Sequence, residues 1–195
     1  MKSAAAPVVL VLASGRGERF VASGGAGSKL QALLAGRPVL QWTLEAVRAS
    51  GLPFHVEDAG HPGMGDSIAA AVRATRGAGG WLVLPGDLPL VRPATLRQVA
   101  GALAAGAEVV VPLYRGERGH PVGFSAACGE ALAALSGPKG AQAVAKARRV
   151  TALEVEDEGV LVDIDTVQAL QEAERRVRAG GAADGASAGS PPARG

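Results

Sequence analysis

The feature that most limits what this chain can fold into is a set of short, unbroken apolar runs placed between helix-length amphipathic segments. Pro7 to Ala13, PVVLVLA, contains no polar residue and is rich in branched side chains. A run of that kind reads as a strand covered on both faces, the habit of parallel sheets flanked by helices. WLVLPGD and EVVVPLY repeat the pattern, and FHVE, TALEV and VLVDID read as shorter strands. Between them stand helical patterns. RPVLQWTLEAVRASG places Val39, Leu40, Leu44 and Val47 at helical spacing, with Pro38 in the first turn and Gly51 as the stop. GDSIAAAVRATRG offers Asp66 or Ser67 as N-cap, Pro93 opens PATLRQVAGALAAG, and TVQALQEAERRVRAG closes the series with Asp165 placed to cap it. AACGEALAALSG and PKGAQAVAKARR are also helical. The alternation predicts an α/β fold, with a mostly parallel central sheet and helices on both faces.

Composition narrows the class. Apolar residues make up 48% of the 195 positions but aromatics only 3%, so the core is expected to be aliphatic and to fill one domain, residues 1–178. The last stretch, 179–195, is rich in Gly, Ala, Ser and Pro and reads as a disordered tail. A formal charge of +2, with Lys and Arg spread along the chain, leaves no footprint for nucleic acid. Cys128 is the only cysteine, which excludes an intrachain disulfide and any multi-cysteine metal site. The N-terminal apolar run passes straight into a Gly/Arg loop with no cleavage site, and no run approaches membrane-spanning length. A cytoplasmic protein without membrane partners is expected.

In sheets of this type the functional site lies beyond the carboxyl ends of the strands, and three polar clusters fall there. The first is Leu12-Ala13-Ser14-Gly15-Arg16-Gly17-Glu18-Arg19-Phe20, followed by Lys29. It is not a P-loop, and Phe20 stands where a dinucleotide fingerprint needs its third glycine. What it offers is a turn of backbone N–H groups from Ser14 to Gly17, with Arg16, Arg19 and Lys29 as cations. That suits an anion, though a tight turn with solvated arginines would look the same. The second cluster is Pro85-Gly86-Asp87-Leu88-Pro89. A carboxylate just past a central strand either caps the next turn or holds Mg²⁺, a hard cation that brings phosphates with it. The third is Asp163-Ile164-Asp165, whose carboxylates would share one face if the segment were a strand. His120, before Pro121, stands in a turn where a structural role is as natural as a chemical one.

Taken in order, these clusters resemble the MobA-like nucleotidyltransferases, most closely the molybdenum cofactor cytidylyltransferase branch. The family's opening L-A-[AG]-G-x-[SG]-x-R-[MF] and its following lysine resemble Leu12–Phe20 and Lys29. GMGxS is matched by Gly63–Ser67, GDMP by Gly86–Pro89, GHPV by Gly119–Val122 and DIDT by Asp163–Thr166. The resemblance implies a Rossmann-like nucleotidyltransferase fold. It also implies transfer of CMP from CTP to the phosphate of molybdopterin, with Mg²⁺ as cofactor and release of pyrophosphate. Transfer from GTP, a sugar- or alditol-phosphate acceptor, or a non-catalytic cofactor carrier are the alternatives.

By the same resemblance, Lys29, Arg19 and Asp87 are the catalytic residues. Leu12, Ala13, Ser14, Gly15, Arg16, Gly17, Lys29, Gly65, Asp66, Ser67, Pro85 and Gly86 bind the nucleotide. His120 and Pro121 face the acceptor, and Asp87 with Asp163 hold the metal. A molybdoenzyme or chaperone would be a partner for the product. Three departures bear on specificity. Ser14 replaces the family's Ala or Gly and narrows the base pocket towards a pyrimidine. The segment between Ser50 and Gly63 is short, and GPKGAQAV replaces GDxGAR near the acceptor.

Overall fold

The computed structural model describes residues 5–15 and 17–186; residues 1–4, Arg16 and residues 187–195 lie outside the described residues. In chain order the elements are β1 (Val8–Leu12), α1 (Glu18–Ala22), the small hairpin β2 (Leu33–Leu34) and β3 (Arg37–Pro38), and α2 (Val39–Ser50). Next come β4 (Phe54–Glu57), α3 (Met64–Ala74), β5 (Gly80–Pro85), α4 (Pro93–Ala104) and β6 (Val109–Tyr114). The chain continues through β7 (Glu117–Arg118), β8 (Val122–Ser125), α5 (Gly129–Ala133), α6 (Gln142–Lys146), β9 (Val150–Glu154) and α7 (Val167–Ala186).

The main sheet runs β4-β1-β5-β8-β6-β7, with β9 also paired to β6. β4, β1, β5, β6 and β9 point one way, while β8, wedged between β5 and β6, and β7 point the other. The sheet is therefore mostly parallel, as the unbroken apolar runs predict. Alternation within those runs feeds two separate cores. Val9, Val11, Leu82, Leu84 and Val110 pack against α2 and α4 through Leu44, Val47, Leu96 and Val99. Leu10, Trp81, Val83, Val109 and Val111 face the opposite side, against Ile68, Val72 and Leu132 of α3 and α5. Each aliphatic side chain fully buried in this way contributes about 1.5–3 kcal/mol. A smaller third core, Phe20, Leu34, Val39, Ile164 and Ala173, ties the segment after β1 to α7.

Four local expectations differ. VLVDID is not a strand: Glu158–Leu161 forms a 3₁₀ turn and the residues after it are irregular. The cause is non-local. Asp157, almost fully buried, accepts hydrogen bonds from the N–H groups of Gly159 (3.0 Å) and Arg92 (2.8 Å) and from Thr95 Oγ1 (2.6 Å). Gly159 lies so close to the Leu90 carbonyl that a Cβ would sit 2.0 Å from its oxygen. Neither Asp66 nor Ser67 caps α3, which starts at Met64 after Gly63. The backbone of Gly63 and Gly65 presses on the 136–139 loop, where a Cβ would meet Gly137 O at 2.2 Å and Lys139 O at 2.8 Å, so the helix enters a turn earlier. Asp165 does not cap α7; Thr166 Oγ1 accepts from the Ala169 N–H (3.1 Å) instead. Finally, α7 runs to Ala186, past the boundary that composition suggests at 178.

Candidate active site

Three strands end level at the functional edge: Leu12 of β1 is opposite both Glu57 of β4 and Pro85 of β5. The loops that follow are locked to one another. The Ala13 N–H donates to Glu57 O (2.8 Å), the Gly86 N–H donates to Leu12 O (2.9 Å), and the buried Thr43 Oγ1 donates to Gly86 O (2.9 Å). Gly86 packs tightly here: a Cβ would stand 3.0 Å from both Leu12 O and Leu40 Cδ1. Gly17 turns the loop at φ +63°, a conformation that L side chains rarely adopt. The chain thereby brings Lys29 back over the end of β5.

Lys29 is the centre of the site. Its Nζ stands 2.5 Å from Asp87 Oδ2 and 2.5 Å from Asp165 Oδ1, while Arg19 Nη1 reaches Asp165 Oδ2 at 2.7 Å. Burial alone would lower the lysine's pKa, but the charges and hydrogen bonds of Asp87 and Asp165 outweigh it and hold it above its ordinary value. The ammonium stays charged. Asp163 is the more open of the three carboxyls, and its pKa is pushed up by partial burial and then by the like charges of Asp165 and Asp87. His120 is pushed the other way by burial, against the pull of Asp87 and Asp163, which favours the neutral imidazole. Its backbone N–H donates to Val160 O (3.0 Å), and the His120–Pro121 peptide is cis.

Asp87 carries the clearest sign of a missing partner: its Oδ1 is buried and, among the described residues, accepts no hydrogen bond. An orphaned carboxylate oxygen beside phosphate-sized space suits a hard cation that takes one or two protein carboxylates and the rest of its shell from phosphate and water. No three His, Cys, Asp or Glu side chains converge as a ready-made metal cage among the described residues.

Two cavities flank this cluster. One, of about 330 Å³, is lined by Ser14, Gly15, Lys29, His61, Ser67 and Asp87 among others. Ser14 Oγ and Ser67 Oγ are hydrogen-bonded at 2.8 Å across it. The other, about 820 Å³, has walls of Val83, Val111, Leu113 and Phe124, with His120, Arg118 and Lys146 at its polar places. Leu12, Met64 and Pro85 line both, so the two spaces adjoin.

The fold thus gathers Leu12, Ser14, Gly15, Lys29, Ser67, Pro85 and Asp87 into one place and sets His120 beside it. Others serve at one remove. Asp66 Oδ2 accepts from the Gly137 N–H (2.9 Å), Gly65 packs on the 136–139 loop, and Pro121 lines neither cavity. Arg19 is largely exposed and reaches the cluster only through Asp165. Arg16 lies outside the described residues. Sequence reasoning missed Asp165 as the second partner of Lys29, and it missed His61 and Pro62 as cavity lining.

At the strand ends of a mostly parallel sheet, a lysine is thus clamped between carboxylates beside a glycine-turned loop. The chain belongs to the MobA-like NTP transferase domain family, whose pattern matches residues 9–153. Over 146 residues it is 36% identical to 2-C-methyl-D-erythritol 4-phosphate cytidylyltransferase of Cereibacter sphaeroides, a match covering 58% of this chain and 64% of that enzyme. Over 140 residues it is 32% identical to the bifunctional protein GlmU of Geobacter metallireducens, covering 59% and 28%. The matches therefore span less than two thirds of these curated relatives. Among solved structures, Rv0371c of Mycobacterium tuberculosis superposes with a TM-score of 0.73 at 26% identity, over 89% of this chain and 99% of that one. The same protein has been solved in complex with manganese (TM-score 0.69, 25% identity, 89% and 100% covered). Molybdopterin-guanine dinucleotide biosynthesis protein A of Archaeoglobus fulgidus shares the fold (TM-score 0.65, 21% identity, 88% and 98% covered). Among the described residues, no helix is long and apolar enough to cross a membrane.

Proposed function

We propose that this protein transfers CMP from CTP to the phosphate of molybdopterin, releasing pyrophosphate, with Mg²⁺ as cofactor. An oxygen of the acceptor phosphate attacks the α-phosphorus, the bond from that phosphorus to the bridging oxygen of the β-phosphate breaks, and the pyrophosphate carries away the electron pair. Such a step needs positioning and charge neutralisation more than covalent help. The observation that carries the reading is the Lys29 ammonium held between Asp87 and Asp165 at the mouth of the smaller cavity.

Lys29 has three donors, so it can keep one carboxylate and turn another N–H to the α-phosphate, where charge builds in the transition state. The Ser14–Gly17 backbone with Arg16 and Arg19 receives the triphosphate. Leu12, Ala13 and residues Gly65–Ser67 in the first turn of α3 shape the base side, with Pro85 and Gly86, beside Asp87, on the ribose. Asp87, through its unpartnered Oδ1, and Asp163 would hold Mg²⁺, which when bound neutralises phosphate charge. His120 and Pro121 belong to the acceptor side, where the neutral imidazole can donate to an anion without adding charge. The cytidylyltransferase among the relatives and the Ser14 hydroxyl, which takes space from the base pocket, both support CTP over GTP. A second reading, an alditol-phosphate acceptor, is favoured by that relative's own substrate name.

The test is thermal stabilisation by CTP, UTP, GTP and ATP with Mg²⁺, on wild type and on Asp87→Ala. A ligand that binds only the native state raises the melting temperature by mass action. CTP should give the largest shift and lose most of it in Asp87→Ala. A larger shift with GTP would move the reading to guanylyl transfer.

A further inference from the structure

The strand order gives the smaller cavity a direction. Its lining comes from the loops after β4, β1 and β5, which lie side by side in that order. Neighbouring strands are about 4.8 Å apart, so the β4 end stands about 10 Å from the β5 end that carries Asp87. If phosphates gather at Lys29 and Asp87, the base points to the far side, where His61 lines the wall.

His61 is not a free imidazole. Its Nε2 stands 3.1 Å from Glu57 Oε1, and the same oxygen accepts from the Ala59 N–H at 3.2 Å. Glu57 Oε2 faces His55 Nε2 at 3.4 Å. Glu57 is buried at the last position of β4, and its backbone carbonyl is held by the Ala13 N–H, so this carboxylate is fixed to the sheet. Burial would raise its pKa, but the hydrogen bonds from Ala59, His55 and His61 bring it below its ordinary value. An ionised carboxylate only accepts, so His61 must carry its proton on Nε2. In the neutral ring Nδ1 is then a bare acceptor, and among the described residues it has no protein partner.

We infer that His61 reads the pyrimidine base, accepting a hydrogen bond at Nδ1 from the exocyclic amine of cytosine, with Glu57 as the positioning residue that fixes its tautomer. Uracil presents a carbonyl at that place, and two acceptors facing each other leave both unpaired. A site built to receive a donor rejects the analogue that lacks it far better than shape alone does. The inference rests on the pyrimidine reading of the same site and adds a residue that separates CTP from UTP, which pocket size cannot do.

The test compares equilibrium binding of CTP and UTP, each with Mg²⁺, at about pH 8, where an ordinary imidazole is neutral. Wild type should prefer CTP by about tenfold or more, the value of one well-placed hydrogen bond set against an unpaired acceptor. In His61→Ala the CTP/UTP ratio should fall towards one, with the loss on the CTP side. In Glu57→Gln, whose amide also offers a donor to Nε2, the tautomer is no longer imposed and the ratio should fall part of the way. A purely structural role for the pair would weaken both nucleotides together and leave the ratio alone. Wild type binding CTP over UTP with the ratio unchanged in His61→Ala overturns this inference and spares the cytidylyl reading. Wild type binding neither pyrimidine nucleotide, or preferring GTP, overturns both.

Discussion

The two cavities that meet at Leu12 and Pro85 are built on different principles. The smaller is lined by loops that main-chain contacts lock together, the Gly86 N–H on Leu12 O and the α3 entry pressed against the 136–139 loop, and by polar side chains tied by short contacts. The larger is lined mainly by apolar side chains of β5, β6 and β8, with a few polar groups among them. A triphosphate has the same shape whichever reaction uses it, so a rigid backbone cradle suits it. An acceptor differs from one reaction to another, and a wall of replaceable side chains can be reshaped without moving the sheet. On the proposed reading, the chemistry common to the family belongs to the first space and acceptor choice to the second.

The comparison breaks most visibly at the charged cluster between the two. Asp87→Asn or Lys29→Ala should lower turnover by about 10²–10³-fold while the circular dichroism spectrum stays native, since each removes charge stabilisation rather than packing. A loss below tenfold would mean that the chemistry lies elsewhere. Asp157→Ala should cost about 2–4 kcal/mol in denaturant unfolding, because three donors, two of them buried, lose a carboxylate, yet leave the ranking of nucleotides intact. Arg118→Ala, at the edge of the larger cavity, should raise the acceptor's KM by about tenfold and leave the KM for CTP nearly unchanged. Equal effects on both would dissolve the division between the two spaces.

The smallest effect concerns pH. Glu57 has a folded-state pKa below its ordinary 4.5, so its contribution to stability is present above that value and is lost as pH falls through the lower, folded one. Glu57→Gln should therefore flatten the acid limb of the stability–pH curve just below 4.5.

Much of the fold and part of the site were legible in the sequence, for reasons that are local. PVVLVLA needs cover on both faces, and Val9 and Leu10 indeed feed opposite cores. Ser14, Gly15, Lys29 and Asp87 stand beside turns whose chemistry is written in adjacent residues. What was not legible depends on distant contacts. VLVDID has the look of a strand, but Asp157 folds its start into a turn by reaching Arg92 and Thr95, more than 60 positions away. Asp165 resembles a helix cap until Lys29, 136 positions earlier, is brought onto it. Glu57 and His61 share a spacing that would mean something on a helix. They meet instead across the turn between β4 and α3, where spacing carries no signal.

On the proposed reading, Lys29 and Asp87 make this edge of the sheet a cytidylyl-transfer site. The most direct measurement is pyrophosphate release from CTP with Mg²⁺ and molybdopterin, in wild type and in Asp87→Asn. One pyrophosphate per molybdopterin consumed is expected, dependent on both substrates, with the rate falling about 10²-fold or more in the variant. No release by wild type with molybdopterin or with an alditol phosphate, or equal release by both proteins, would contradict that reading.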